Sequence, residues 1–232
     1  MLLGQFIAIK FPSNNLEMKN YLQLISFLVL LFSGMTIETY GQSDIRIGIT
    51  GGPNASQIKT STNLTDLLWS YNVGLAFEKE FKKDLSIASE LVYTRQGSSL
   101  DGVFSGKYIT HFDYLALPVF FRYSPGGKNA FILGGGKFGY LIYDKEKYTY
   151  NNSEGNLNHL RQWDAGLMGG IGYRMGKYVV LDARYYFGLT PLIKKHTVLD
   201  PVTFQPIFFG ADRWINRVWS LNLTIYFFNS RQ

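Results

Sequence analysis

From residue 45 onward the chain alternates large apolar residues with small or polar ones in eight stretches, which constrains the fold more than any motif. The stretches are 45–57, 69–80, 85–97, 109–123, 130–143, 161–174, 178–190 and 213–228, most of them 12 to 16 residues long. A period of two puts successive side chains on opposite faces of a strand. Strands in globular proteins average about 5 or 6 residues, whereas a tilted strand needs about 9 to 11 to cross a bilayer. The connections alternate too. Short turns, FKKD, SPGGKN and MGK, follow the second, fourth and sixth stretches, and long loops follow the first, third, fifth and seventh. This reads as an all-β, eight-stranded antiparallel up-and-down transmembrane β-barrel, with short periplasmic turns and long extracellular loops.

The stretch WDAGLMGGIGYRMGKYVVLDARYYFGL, 163–189, poses the question of which face points inward. One face carries Trp163, Leu167, Ile171, Tyr173, Val179, Leu181, Tyr185 and Phe187. The other carries Asp164, Gly166, Gly170, Gly172, Arg174, Asp182, Arg184 and Gly188. In a soluble sandwich the apolar face is the core and the other meets water, yet water-facing strands are rarely glycine-rich. A narrow closed barrel needs small residues inside, so the glycine-and-charge face is read as the lumen. The remaining alternative is a soluble lipocalin-like barrel with an apolar pocket. Because inward residues have even numbers on both the sixth and seventh strands, the turn between them holds an odd number of residues. Met175-Gly176-Lys177 is the expected loop, pairing Gly170 with Asp182, Met168 with Arg184 and Gly166 with Tyr186.

Composition agrees with a β-rich chain: aromatic residues make up 16%, with 16 Tyr, 18 Phe and 24 Gly. The absence of cysteine excludes disulfides, thiol catalysis and zinc-thiolate sites. The net charge of +6 is scattered, which argues against a nucleic-acid stripe. Residues 18–41 carry Lys19, a 12-residue apolar run and small residues before Gln42, and read as a secretory signal peptide. Residues 1–17 then read as a mis-called upstream extension, and 42–232 as the barrel domain.

Charges that alternation places in the lumen are Glu90, Arg122, Lys137, Asp164, Arg174, Asp182 and Arg184. On the lipid face each would cost about 2–4 kcal/mol at the midplane. Counting along the strands sets Arg122, Arg174, Asp182 and Arg184 in the periplasmic half and Glu90 near the middle. They are read as a structural network filling a narrow lumen, with a gated ion path as the alternative. His111, His159 and His196 fall at loop-side positions. They fit solvated loop residues better than a metal site or a catalytic base with Ser99, Asp101 or Asp113, because the spacing matches no motif. Gly51-Gly52 and Gly134-Gly135-Gly136 lack the lysine ending and following helix of a phosphate loop and read as strand packing. The NLT at Asn63 and NNS at Asn151 resemble glycosylation acceptors. Aromatics such as Trp69, Tyr71, Tyr123, Trp163, Trp214 and Trp219 gather at strand ends, as in interfacial girdles.

Several stretches resemble a known family. DYLALPVFFRY, 113–123, resembles the YLEIPLLLKY strand of the PorT-like outer-membrane β-barrel family of Bacteroidetes, and IGITGGPNAS, 47–56, resembles its first strand, GVKAGLNLS. FILGGGKFGYLI, DAGLMGGIGYRM and LDARYYFGLT resemble its fifth to seventh strands, so the resemblance spans 45–228. Ala116 stands where the family often has glutamate, and the chain ends in Asn229-Ser230-Arg231-Gln232 in place of an aromatic residue. The resemblance implies a bacterial outer-membrane barrel and no particular activity; one branch works with a secretion apparatus.

The function expected from these readings is a non-enzymatic, monomeric outer-membrane barrel without cofactor, in contact with outer-membrane lipid. Its role would be envelope structure or partnership with envelope or secretion-apparatus proteins, and no nucleic acid is involved. Ile207, Phe208 and Phe209 in the loop 191–212 offer an apolar partner patch. The alternatives are a narrow pore or transporter for small solutes or hydrophobic compounds, and a lipid-modifying enzyme.

Overall fold

A computed structural model describes residues 44–60, 65–82, 84–101, 106–149, 153–155, 160–193, 196–199, 206–209 and 214–229. The expected leader at 18–41, the extension at 1–17, Asn63, Asn151 and His159 lie outside the described residues. Eight strands form the wall: β1 (Asp44–Lys59), β2 (Leu68–Lys82), β3 (Leu85–Asp101), β4 (Lys107–Tyr123), β5 (Ala130–Tyr148), β6 (Trp163–Met175), β7 (Val179–Gly188) and β8 (Ile215–Asn229). Each pairs antiparallel with its neighbours in sequence, and β1 pairs with β8 to close the ring.

The burial pattern answers the question of facing. On β8, Asn216, Val218, Asn222, Thr224 and Tyr226 are buried, and Trp219, Leu221, Leu223, Ile225 and Phe227 are exposed. On the outer wall Trp69 is 72% exposed, and Ile171 and Phe227 are 66% exposed. An apolar belt around a closed barrel has no solvent-compatible explanation as a soluble surface and is what a bilayer covers. The soluble-barrel alternative is therefore set aside.

Three details differ from the sequence reading. First, β3, β4 and β5 run farther than the alternation indicated, to Asp101, from Lys107 and to Tyr148. Cross-strand contacts hold this extension: Tyr108 pairs with Tyr148 and their rings stack at 4.4 Å. Second, the tight turn is Gly176-Lys177-Tyr178, since Met175 already pairs with Val179. Gly176 takes φ 75°, the left-handed geometry this loop requires. The expected partners are thus displaced by two: Gly166 faces Gly188, Met168 faces Tyr186, Gly170 faces Arg184 and Gly172 faces Asp182. The Tyr178 carbonyl accepts from the Tyr226 amide of β8 at 2.7 Å, continuing the ladder from Val179 and Ile225. A displacement of two leaves every side chain on its face.

Third, two short strands lie within the stretch read as the longest loop. His196–Leu199 and Pro206–Phe209 pair as an antiparallel hairpin, with Ile207 opposite Val198, Phe208 opposite Thr197 and Phe209 opposite His196. At the root of this segment, Leu192 donates its amide to Trp214 and accepts from the Arg161 amide, at 2.8 and 2.7 Å. Its side chain, 2% exposed, packs into the barrel mouth against Ile58, Phe112 and Tyr114.

Candidate functional site: a cross-braced lumen

The lumen is filled in layers, described from the turn end to the loop end. At the turn end Glu78 is the hub. Its Oε1 accepts from Arg174 Nη2 and Ser86 Oγ, both at 2.6 Å, and its Oε2 accepts from Arg122 Nη1 at 2.9 Å. Arg46 Nη1 lies 3.6 Å from the same carboxylate, and Arg46 also pairs with Glu80. Arg122 Nη1 further donates to the Tyr226 hydroxyl at 2.8 Å, and its guanidinium sits between the rings of Phe120 and Phe131, at 5.1 and 5.2 Å.

The next layer centres on Arg184. Nη1 and Nη2 donate to the two oxygens of Glu90, both at 2.7 Å, while Nε and Nη2 donate to Asp182 at 2.5 and 2.9 Å. Asn222 completes Asp182 at 3.2 Å. The four arginines of these layers, Arg46, Arg122, Arg174 and Arg184, face four carboxylates, Glu78, Glu80, Glu90 and Asp182. Such balance matters because taking an ion out of water costs several kcal/mol, recovered only with good pairing geometry.

The bonds follow the ring. In the order of eight strands, β2 stands opposite β6, β3 opposite β7 and β4 opposite β8. Glu78–Arg174, Glu90–Arg184 and Arg122–Tyr226 join these three pairs through the centre. An eight-stranded barrel is narrow enough for side chains from opposite walls to meet.

Above the ions lies an amide layer. Asn72 donates to Asn54 at 2.8 Å, Asn54 to Thr94 at 2.9 Å, and Asn216 to Asp164 at 3.0 Å. Lys137 stands over the Tyr186 ring at 3.5 Å, and no ion pair within 4.0 Å joins it to Asp164. A cavity of about 50 Å³ lies here, lined by Asn54, Asn72, Lys137, Arg184 and Tyr186 among others. It has room for a few waters. The mouth is closed by Ile58, Phe112, Tyr114 and Leu192, with Leu141, Leu160 and Trp214 packed around them.

Of the seven charges singled out in the sequence, five enter the ion layers: Glu90, Arg122, Arg174, Asp182 and Arg184. Lys137 and Asp164 belong to the amide layer instead. The sequence reading left out Glu78, Arg46 and Tyr226, although Glu78 falls in alternation with Asn72, Gly74 and Ala76 on one face of β2. Arg46 shares its face with Gly48, Thr50 and Asn54, so alternation along β1 carried the signal. Asp113, one of the carboxylates considered as the partner of a histidine base, is held by Arg95 at 2.7 and 2.9 Å. Among the described residues no three His, Asp or Glu side chains gather as a metal site.

A closed eight-stranded barrel with an apolar outer wall and an ion-paired interior defines a class of membrane-embedded β-barrels. The chain belongs to the outer membrane protein beta-barrel domain family, whose family model matches residues 40–194. This places it in the bacterial outer membrane, with its wall against lipid. No curated protein matches the sequence. Among solved structures, Ail, the attachment invasion locus protein of Yersinia pestis, is similar at 13% identity and a TM-score of 0.45, over 81% of this chain and 100% of that one. Neisserial surface protein A aligns at 11% identity and a TM-score of 0.49, over 78% and 97%. OprG from Pseudomonas aeruginosa aligns at 14% and 0.40, over 80% and 95%.

Proposed function

We propose that this protein is a closed, non-conducting, non-enzymatic outer-membrane barrel of the PorT-like kind. It is exported through the leader at 18–41, inserted with its short turns in the periplasm, and works as a monomeric envelope component or as the embedded partner of a larger, secretion-linked assembly. The observation that carries this reading is the filled lumen. A solute entering from either end meets the Glu78 and Arg184 layers and the Leu192 mouth packing, and the cavity beside Lys137 and Tyr186 measures about 50 Å³. Opening a path would break buried ion pairs whose separation is costly. Work is then left to the outer surface and the loops, and the hairpin bearing Ile207, Phe208 and Phe209 is the element proposed to meet a protein partner.

Planar-bilayer recording of the purified, refolded chain tests the reading. A flat baseline is expected; reproducible unitary steps would favour the narrow-pore alternative. Excising 196–209 is expected to abolish co-purification of an envelope partner while the barrel still shifts in gel mobility on boiling. Retained co-purification would remove the hairpin from the proposal.

A further inference from the structure

Arginines on the outer wall differ in their partners. Arg95 on β3 is neutralised by Asp113 of β4 through two hydrogen bonds, at 2.7 and 2.9 Å. On the far side of the ring, Arg217 of β8 shares the outer face with the exposed Trp219 and Leu221. Its guanidinium lies 3.5 Å from the Phe187 ring centroid and its Nη1 donates to the Tyr185 hydroxyl at 3.2 Å, while its Nε is buried against these rings. Lys59 of β1 is exposed and pairs with Ile215, while Gln57 pairs with Arg217. Lys59 and Arg217 are therefore diagonal neighbours, at a typical spacing of about 7–8 Å. Two strands along the ring, Arg161 sits over the outward Trp163 ring at 5.4 Å and donates Nε to the Pro191 carbonyl at 3.2 Å. Among the described residues no carboxylate lies within 4.0 Å of Lys59, Arg161 or Arg217.

Three cations without a carboxylate partner among the described residues, on a lipid-facing wall, need an explanation. A charge there is costly at the midplane and costs close to nothing at the interface. Trp163, Tyr185, Phe187 and Trp219 mark this sector as the aromatic belt at the loop end, where headgroups lie. The rings and the Tyr185 hydroxyl hold Arg217 in place and leave its Nη2 to donate, and a guanidinium N–H to a phosphate oxygen is a charge-assisted bond that the Lys59 and Arg161 cations can join. We propose that the sector formed by Lys59, Arg161 and Arg217 binds the phosphate-bearing headgroup of a glycolipid in the outer leaflet. The leaflet assignment rests on the proposed orientation, with loops outside; the binding chemistry does not.

Native mass spectrometry of the detergent-folded full chain tests this, with bis-phosphorylated lipid A and its dephosphorylated form as the two probes. Wild type is expected to retain the phosphorylated lipid about tenfold or more over the dephosphorylated one, since each basic residue near a charged lipid surface adds to the attraction. The variant Arg161→Gln/Arg217→Gln should lose that preference, while Lys128→Gln at the turn end should keep it. Equal retention of the two lipids by wild type would overturn the proposal. So would an unchanged preference in the double variant, or an equal loss in Lys128→Gln, which would mean diffuse charge. The wild-type comparison stands even if the double variant fails to fold. Binding in detergent is independent of orientation and conductance, so a failure here leaves the closed-barrel reading to its own test.

Discussion

Arg184 and Glu90 meet across the full width of the lumen: two hydrogen bonds, both 2.7 Å, join β7 to β3, which stand opposite each other in the ring. The pair acts as a brace rather than as a ladder contact, because no backbone bond links those strands. With Glu78–Arg174 and Arg122–Tyr226 it ties three of the four opposed strand pairs. The barrel wall resists stretching along its hydrogen bonds, and the braces resist flattening of its cross-section.

Removing one end of a brace strands the other. Arg184→Met leaves Glu90, 3% exposed, without its cation, and leaves Asp182, 1% exposed, with only Arg122 Nη2 at 3.6 Å. The expected cost is about 3–5 kcal/mol, read as a lower urea midpoint for the barrel folded in lipid vesicles. A midpoint equal to wild type would mean the layer is hydrated and the brace weak.

Two glycines on one strand should respond in opposite ways. A Cβ at Gly166 would lie 2.2 Å from the Phe187 carbonyl oxygen and 2.8 Å from the Gly188 Cα, so Gly166→Leu is expected to impair folding by about 3 kcal/mol or more. At Gly169, on the outer face, the nearest atom is the Leu133 carbonyl oxygen at 3.8 Å, so Gly169→Ala should stay within about 0.5 kcal/mol of wild type. Heat-modifiable gel mobility reports both, and equal behaviour would contradict the assignment of faces.

The outer wall makes its own demand. Leu223 is exposed at mid-height on β8 between Leu181 and Gly51. Leu223→Arg is expected to cost about 2–4 kcal/mol in a bilayer, measured by equilibrium unfolding from vesicles. No penalty would argue that this face does not meet hydrocarbon.

Leu192 couples the long loop to the mouth. Leu192→Ala removes packing worth about 2–5 kcal/mol from the segment clamped between Arg161 and Trp214. Limited proteolysis of whole cells should then cut this loop faster while the unboiled barrel band persists. Unchanged cleavage would show that the backbone bonds alone hold the segment.

Much of this architecture is carried by local pattern. Period-two alternation identifies each wall strand and assigns Asp164, Asp182 and Arg184 to one face and Trp163, Leu181 and Trp219 to the other. That information is repeated every second residue and survives a displacement of two, as the β6–β7 hairpin shows. The site was only partly legible for the same reason. Alternation says that Glu78 and Arg46 point inward but not at what height they meet other strands, so the hub of the turn-end layer could not be told from any other inward residue.

The sequence by itself determined the number of wall strands, their alternating turns and loops, and the side each residue takes, because all three depend on neighbours along the chain. Only the tertiary structure decided which charges meet, that Arg46 and Tyr226 join Glu78 and Arg122, and that Leu192 closes the mouth. Those contacts lie across a closed ring, where the stagger between strands sets relative height, and no residue's own neighbours encode that stagger.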